Sequence, residues 1–249
     1  MPGSLIFPDW PAPARVRAAV TTRGLPGVSL ATFAAFNLGA NCGDDAQAVR
    51  ANRAALKSLA ELPSAPSWLR QVHGTAVQIF DTQVATNNDT PSADAAITRA
   101  PGVVLTILTA DCLPLLVCVD DGSEIAAIHA GWRGMAAGVI ECCIETLSAP
   151  RHRLMVWLGP AIAPASYEVG EEVRETFVAQ DAATANAFVP TRMGRWSCDL
   201  YALARHRLAA LGVTRVHGAG FDTFIDARFY SYRRDKTTGR FASLIWLAD

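Results

Sequence analysis

Three side chains in this sequence carry the chemistry to hold a metal ion or to attack an acyl carbon, and each stands at the edge of an apolar run. His73 lies in Gln-Val-His-Gly, immediately before a β-like stretch. Cys112 lies in Thr-Ala-Asp-Cys-Leu-Pro-Leu, where Pro114 forces the chain to leave in an extended conformation. His129 closes an apolar stretch in Ile-His-Ala-Gly-Trp-Arg-Gly, where a glycine-rich turn begins. Imidazole and thiolate are the ligands zinc favours, and a catalytic zinc takes three protein ligands and keeps a fourth position open. The separations of 39 (112 − 73) and 17 (129 − 112) residues match no closely spaced finger or helix motif. A Cys–His nucleophilic pair, with Asp111 or Asp94 orienting the imidazole, uses the same residues. So does a plain structural reading, in which Cys112 is a small buried hydrophobe and both histidines cap strand ends. The residues alone leave all three open. The remaining histidines are less suggestive: His152 and His206 are flanked by arginines, and His217 follows a strand-like segment.

The elements that must position these groups read as α+β. Residues 75–80, 103–109, 115–119 and 125–129 are short, rich in Val, Ile and Leu, and bounded by Gly, Pro or Asp, which suits buried strands. Residues 45–59 carry Val49, Asn52, Leu56 and Leu59 at helical spacing behind Asp45 as an N-cap, with Arg50 and Arg53 on one side. A helix is also predicted after Gly134, ending before Pro150, and others over 171–177 and 200–211; strands are predicted over 154–158 and 241–247. Residues 22–45 and 85–92 collect Gly, Pro, Asn and Asp, and each is a candidate flap. The charged stretch 231–240 reads as a loop.

Composition narrows the function classes. With 249 residues, 51% of them hydrophobic, the chain is long enough for a substantial core, and a single domain over 1–249 is the expectation. A formal charge of −1 without like-charge runs gives no electrostatic footprint for nucleic acid or an anionic membrane. Pro2, Pro8, Pro11 and Pro13 interrupt every apolar stretch at the N-terminus, so no signal-peptide core forms there and a cytoplasmic location is expected. The six cysteines then read as reduced thiols.

Taken together, QVHG (71–74), TADCLPLL (109–116), HAGWRG (129–134), LGPAI (158–162), YEVG (167–170) and FYSYRRDKTTGR (229–240) resemble the bacterial YfiH-type laccase-domain family. The opening FNLG, GDD and Asn52-Arg53 match it too, so the resemblance spans nearly the whole chain. It implies a four-layer α/β/β/α fold with mixed β-sheets sandwiched between helices, and zinc held by His73, Cys112 and His129. It implies phosphorolysis of adenosine, inosine, guanosine and 5'-methylthioadenosine, with adenosine deamination as a second activity and a monomer or weak homodimer as the working form. Other members have been described as polyphenol oxidases or as editors of peptidoglycan precursors, the latter using Cys112 on an amide.

Within that reading Cys112 and His129 belong to the catalytic set, Asp111 is the acid beside the base, and Arg53, Arg133 and Arg233 hold phosphate. Zinc would activate water for attack at C6 of adenine. Trp132 is a candidate to stack on the purine. His-Cys-His near Met135 is also a blue-copper ligand list, but a multicopper cluster needs more histidines than the three left over. Copper is therefore expected only as an adventitious substitute. One departure from the family pattern is Asp222 before Thr223, where a Cys is expected.

Overall fold

The computed structural model describes residues 4–81 and 90–249. Its first half runs β1 (Val16–Val20), α1 (Ala46–Leu59), β2 (Val77–Ile79), β3 (Ala95–Thr98), β4 (Val104–Thr109), β5 (Leu113–Val119) and β6 (Ile125–Ala130). From there the chain continues through α2 (Trp132–Ala137), α3 (Val139–Thr146), β7 (Leu154–Leu158), β8 (Glu168–Gly170) and α4 (Glu171–Val178). It ends with β9 (Phe188–Arg192), β10 (Arg195–Cys198), α5 (Leu200–Ala210), β11 (Arg215–Gly218), α6 (Tyr232–Asp235) and β12 (Phe241–Leu247).

The strands form a six-stranded mixed sheet of order β11-β7-β5-β6-β3-β2, a three-stranded antiparallel sheet β1-β12-β4, and a small sheet β8-β10-β9. Strand alternation explains how the first two stack. In β4, Leu105 and Ile107 face a core shared with Leu116 and Cys118 of β5 and Met155 and Trp157 of β7. The opposite face of the β1-β12-β4 sheet, through Val104, Leu244 and Trp246, packs on Leu56 of α1. The far face of the large sheet, through Leu115, Val117 and Ile128, packs on α2, α3 and α5. The result is the α/β/β/α layering, in which the central strands bury both faces and so read as continuous apolar runs. Each fully buried Leu or Ile contributes on the order of 1.5–3 kcal/mol.

Several elements differ from the sequence expectation. The helical run after Gly134 begins earlier, at Trp132, directly behind β6, with Gly131 as its N-cap in place of a glycine-rich turn. It then breaks at Gly138, whose φ of 98° closes α2 and opens α3. Strand β5 starts at Leu113 and includes Pro114, which sits opposite His129; its carbonyl accepts from the Gly159 N–H. His217 lies inside β11 rather than after a strand. Strands β1, β3 and β8–β11 escaped the sequence reading because they are short, alanine-rich or polar.

The stretch 22–45 is irregular but anchored. Asn52 of α1 donates from Nδ2 to Ser29 Oγ and to the Ala35 and Asn37 carbonyls, while its Oδ1 accepts from Val28 N–H. Those bonds satisfy the backbone of a segment that has no sheet partner, which argues against a freely moving flap. Of the second candidate flap, residues 85–89 lie outside the described residues.

Candidate metal centre

The two sheets bring their strand ends to one side of the molecule, and there His73, Cys112 and His129 meet. One ligand atom from each lies within 4.8 Å of the others, and they are the only such group of three among the described residues. Cys112 Sγ is 3.8 Å from His73 Nε2, and the two histidine rings meet edge to face at 4.8 Å between centroids. Cys112 sits between β4 and β5, His129 in β6, and His73 in the turn before β2, where its φ is 60°.

Asp94 holds this arrangement together. It is fully buried, and its Oδ1 accepts from His129 Nδ1 at 2.8 Å and from His73 N–H at 2.9 Å. Its Oδ2 accepts from Val72 and Gly74 N–H. One carboxylate thus fixes the turn that carries His73 and the tautomer of His129, leaving His129 Nε2 for a ligand. Burial opposes ionisation of Asp94, yet the His129 and backbone hydrogen bonds outweigh it and hold the carboxyl below its ordinary range.

Burial also opposes the Cys112 thiolate, but the neighbouring His129 and His73 imidazoles pull its pKa down; His129 is pushed up in turn by Cys112 and Asp94. By contrast, burial, helped by the nearby carboxylates Asp120 and Asp199, pushes Cys118 and Cys198 up to about 12. Cys112 is set apart by its environment as the thiol disposed to ionise. All six cysteines are free thiols in this structure. The ligand atoms are packed without slack: a Cβ on Gly131 would lie 2.9 Å from Cys112 Sγ and 2.9 Å from His73 Cδ2. Gly131 is needed there for close approach and not for its backbone angles, since its φ is −72°.

The cluster opens onto a cavity of about 820 Å³. Arg53, Arg70, Arg133, Arg233, Lys236 and Arg240 line it, and among the described residues Asp111 is the one carboxylate in its wall. None of these six cations forms an ion pair among the described residues, whereas arginines 99, 153, 174, 192, 207, 215, 228 and 234, away from the cavity wall, do.

The sequence-predicted residues fall as follows. Arg53 Cζ stacks 3.9 Å from the Trp68 ring centroid, and its Nε donates to the Leu38 carbonyl. Burial lowers its pKa to about 10, so it stays charged at neutral pH. Arg133 is exposed and lies over Trp132 at 4.4 Å. Arg233 donates from Nη1 to the Glu168 carbonyl and lies 5.0 Å from the Tyr167 ring centroid. Asp111 lines the cavity, but Thr223 Oγ1 and Arg233 N–H occupy one carboxylate oxygen each. Met135 is buried in the core behind α2 and not in the cavity wall. Asp222 accepts from Ala163 N–H and Ser166 Oγ, a structural use that leaves Thr223 free to hold Asp111.

Sequence reasoning passed over Trp68, Tyr167, Lys236 and Arg240. Tyr167 had a signal as the first residue of the YEVG motif, and Lys236 and Arg240 had one in FYSYRRDKTTGR; Trp68 had none.

Comparison with known proteins places the geometry in context. The family model described as multi-copper polyphenol oxidoreductase laccase matches residues 17–248. A purine nucleoside phosphorylase of Pseudomonas aeruginosa is 56% identical over 246 residues, covering 98% of each chain. Purine nucleoside phosphorylase YfiH of Escherichia coli is 46% identical over 244 residues, again covering 98% of both. Among solved structures, a Neisseria meningitidis protein of the DUF152 family superposes with a TM-score of 0.92 at 41% identity, covering 99% of this chain and 100% of the other. YlmD from Geobacillus stearothermophilus gives 0.83 at 30% identity over 95% and 93%.

Proposed function

The chain belongs to the multi-copper polyphenol oxidoreductase laccase family, and we propose that within it this protein is a zinc-dependent purine nucleoside phosphorylase. Its substrates in this reading are adenosine, inosine, guanosine and 5'-methylthioadenosine with phosphate, and adenosine deamination is a second activity. The observation that carries the reading is the cavity wall, where among the described residues six cations without an ion pair face one engaged carboxylate beside a His–Cys–His cluster. Arg53, Arg233 and Arg240 are half-buried and bonded to carbonyl oxygens, which leave their charge uncompensated, and an anionic substrate supplies the missing counter-charge. The names of the relatives agree with such a ligand.

The donor set fits zinc. One thiolate inclined to ionise and two imidazoles, one oriented by a buried carboxylate, match a three-ligand site with an open fourth position. His73, Cys112 and His129 would hold the zinc, and the chemistry it would supply there is that of a Lewis acid. The protein's own groups do the rest. Arg53 is pre-set for phosphate because Trp68 and the Leu38 carbonyl fix its plane, while its Nη atoms make no hydrogen bond among the described residues. Arg233, held by Glu168, presents a second charge next to the cluster, and Arg133 a third at the rim. Trp132 offers an aromatic face in the cavity wall for the base. Copper in the same three ligands would give a weak oxidase activity without a multicopper cluster, since the chain has only five histidines.

No helix among the described residues is long and apolar enough to cross a membrane, and we place the enzyme in the cytoplasm, where nucleosides and phosphate are both at hand. The test is metal analysis of the wild type and His129→Ala, with adenosine turnover followed by chromatography with and without phosphate. Near-stoichiometric zinc that is lost in the variant, and adenine formed only with phosphate, support the reading; inosine formed without phosphate supports the deaminase activity. A metal-free wild type that leaves adenosine untouched overturns it and turns attention to Cys112 as an amidase nucleophile.

A further inference from the structure

The QVHG motif holds a residue that neither the metal ligands nor the cations of the cavity wall account for. Gln71 is half-buried in that wall, two residues before His73. Its Nε2 donates to the Leu108 carbonyl at 2.7 Å, and its Oε1 accepts from the Leu108 N–H at 2.8 Å. The pair of bonds also fixes which way the amide is turned, since the exchanged orientation would set donor against donor.

The strand pairing explains why Leu108 takes such a partner. Leu108 lies near the end of β4, opposite Ala242 of β12, but Ala242 turns its backbone groups the other way: its carbonyl accepts from Thr21 N–H and its N–H donates to Thr21 Oγ1. In an antiparallel ladder that makes 108 and 242 a pair without mutual hydrogen bonds, so the N–H and C=O of Leu108 face the open edge of the sheet. Residues 67–71 run along this edge. Ser67 N–H bonds to the Val104 carbonyl in parallel register, and four residues further on the Gln71 amide stands where a backbone peptide would, against Leu108.

Two ligands of the cluster lie just beyond this clamp: His73 is two residues past Gln71, and Cys112 is four past Leu108. Each connecting stretch holds a residue other than glycine at positive φ, His73 at 60° and Asp111 at 91°, backbone angles that persist only where the surroundings enforce them. Asp94 ties the His73 turn to His129, and its four bonds go to that turn and to His129, none to the strand that delivers Cys112. We propose that Gln71 is a positioning residue of the metal centre, which sets the placement of His73 relative to Cys112 by clamping the His73 turn to β4. This rests on the metal-site part of the reading above. The turn at 72–74 is then held from two sides, by Asp94 toward His129 and by Gln71 toward Cys112.

The experiment titrates Co2+, a coloured stand-in for zinc in cysteine and histidine sites, into metal-free wild type, Gln71→Met and Ser64→Ala. Gln71→Met keeps the length of the side chain and removes both bonds to Leu108. Ser64→Ala removes the bond from Ser64 Oγ to the Gly102 carbonyl at the opposite end of β4, and so measures what loosening this sheet does by itself. Both metal-free variants should melt below the wild type, by roughly 2–6 °C. Only Gln71→Met should bind Co2+ more weakly, by about tenfold, and show a displaced thiolate-to-cobalt charge-transfer band, the signature of an altered bond to Cys112. Gln71→Glu keeps the bond from Leu108 N–H and loses the donor to its carbonyl; it should show the same loss, and it carries the test if Gln71→Met does not fold. Affinity within about twofold of the wild type, an unchanged band, an equal loss in Ser64→Ala, or failure of both Gln71 variants to fold each overturns the proposal and leaves the metal site standing. A wild type that takes up no Co2+ sinks the metal site and the proposal together.

Discussion

Replacing Asp94 by asparagine keeps the shape of the side chain and removes half of its hydrogen-bonding capacity. The carboxylate receives four donors, two on each oxygen: His73 N–H and His129 Nδ1 on Oδ1, Val72 and Gly74 N–H on Oδ2. An amide has one oxygen to accept and an NH2 that turns donors toward donors. Whichever way the amide is flipped, two of the four lose their acceptor. At about 1–3 kcal/mol for each unsatisfied buried donor, the cost is on the order of 2–6 kcal/mol. For a chain of this size that lowers Tm by roughly 5–20 °C, at about 2–4 °C per kcal/mol. The metal site suffers in either orientation. If Oδ1 is the lost acceptor, His129 is released to the wrong tautomer and His73 loses its turn; if Oδ2 is lost, the turn at 72–74 opens. Metal affinity should then drop about 10- to 100-fold, the usual consequence of removing a group that orients a ligating histidine. Calorimetric melting together with zinc competition against a chromophoric chelator measures both quantities on one preparation. An Asp94→Asn protein that melts and binds zinc like the wild type would refute the claim that this carboxylate organises the site.

Other perturbations separate the parts of the site. Gly131→Ala places a methyl 2.9 Å from Cys112 Sγ and from His73 Cδ2, about half an ångström or more inside ordinary contact. It should weaken zinc binding in the same competition assay at a stability cost of about 1–3 kcal/mol, because the backbone angles at Gly131 suit alanine. Arg53→Lys keeps the charge but loses the stack on Trp68 and the bond to the Leu38 carbonyl, so the KM for phosphate should rise several-fold, with zinc content unchanged by atomic absorption. Stripping the protein with a chelator should abolish adenosine turnover while leaving its far-ultraviolet circular dichroism intact, since the hydrophobic layers between the sheets and helices do not depend on the cluster.

The parts of the site that were legible in the sequence are those whose physics is local. His73, Cys112 and His129 each stand where an apolar run meets a turn, and the runs around them declared themselves as strands because a sheet buried on both faces needs unbroken Val, Ile and Leu. The same logic placed β12 at its observed bounds and α1 behind Asp45, whose carboxylate accepts from Gln47 and Ala48 N–H. What local patterning does not carry is partnership at long range. Asp94 and Asp111 were both candidates to orient an imidazole, and nothing in the Ala-Asp-Ala-Ala-Ile stretch chose between them; the choice of Asp94 appears only when residues 21 positions earlier and 35 positions later close around it. Arg240, the last residue of the charged loop, bonds to Asn37 across 203 positions.

The arginines make the same point from the other side. From sequence, Arg53, Arg133 and Arg233 were the candidates for phosphate, but nothing local showed that they, unlike Arg207 or Arg234, would be left without a carboxylate, since any arginine near a turn can pair with one. The fold sorts them by what is missing. Arg207 finds Glu141, and Arg234 finds Asp235. The cavity arginines meet aromatic rings and carbonyl oxygens instead, groups that fix a guanidinium plane without neutralising it. An Arg held by its neighbours and not discharged by them keeps both its geometry and its field for a ligand, the condition that favours tight, oriented binding of an anion. Two sheets stacked face to face produce that condition here. They bring the Asp94-organised ligands and the middle of α1 with Arg53 to one rim, while the acidic partners of the other arginines lie away from the cavity wall.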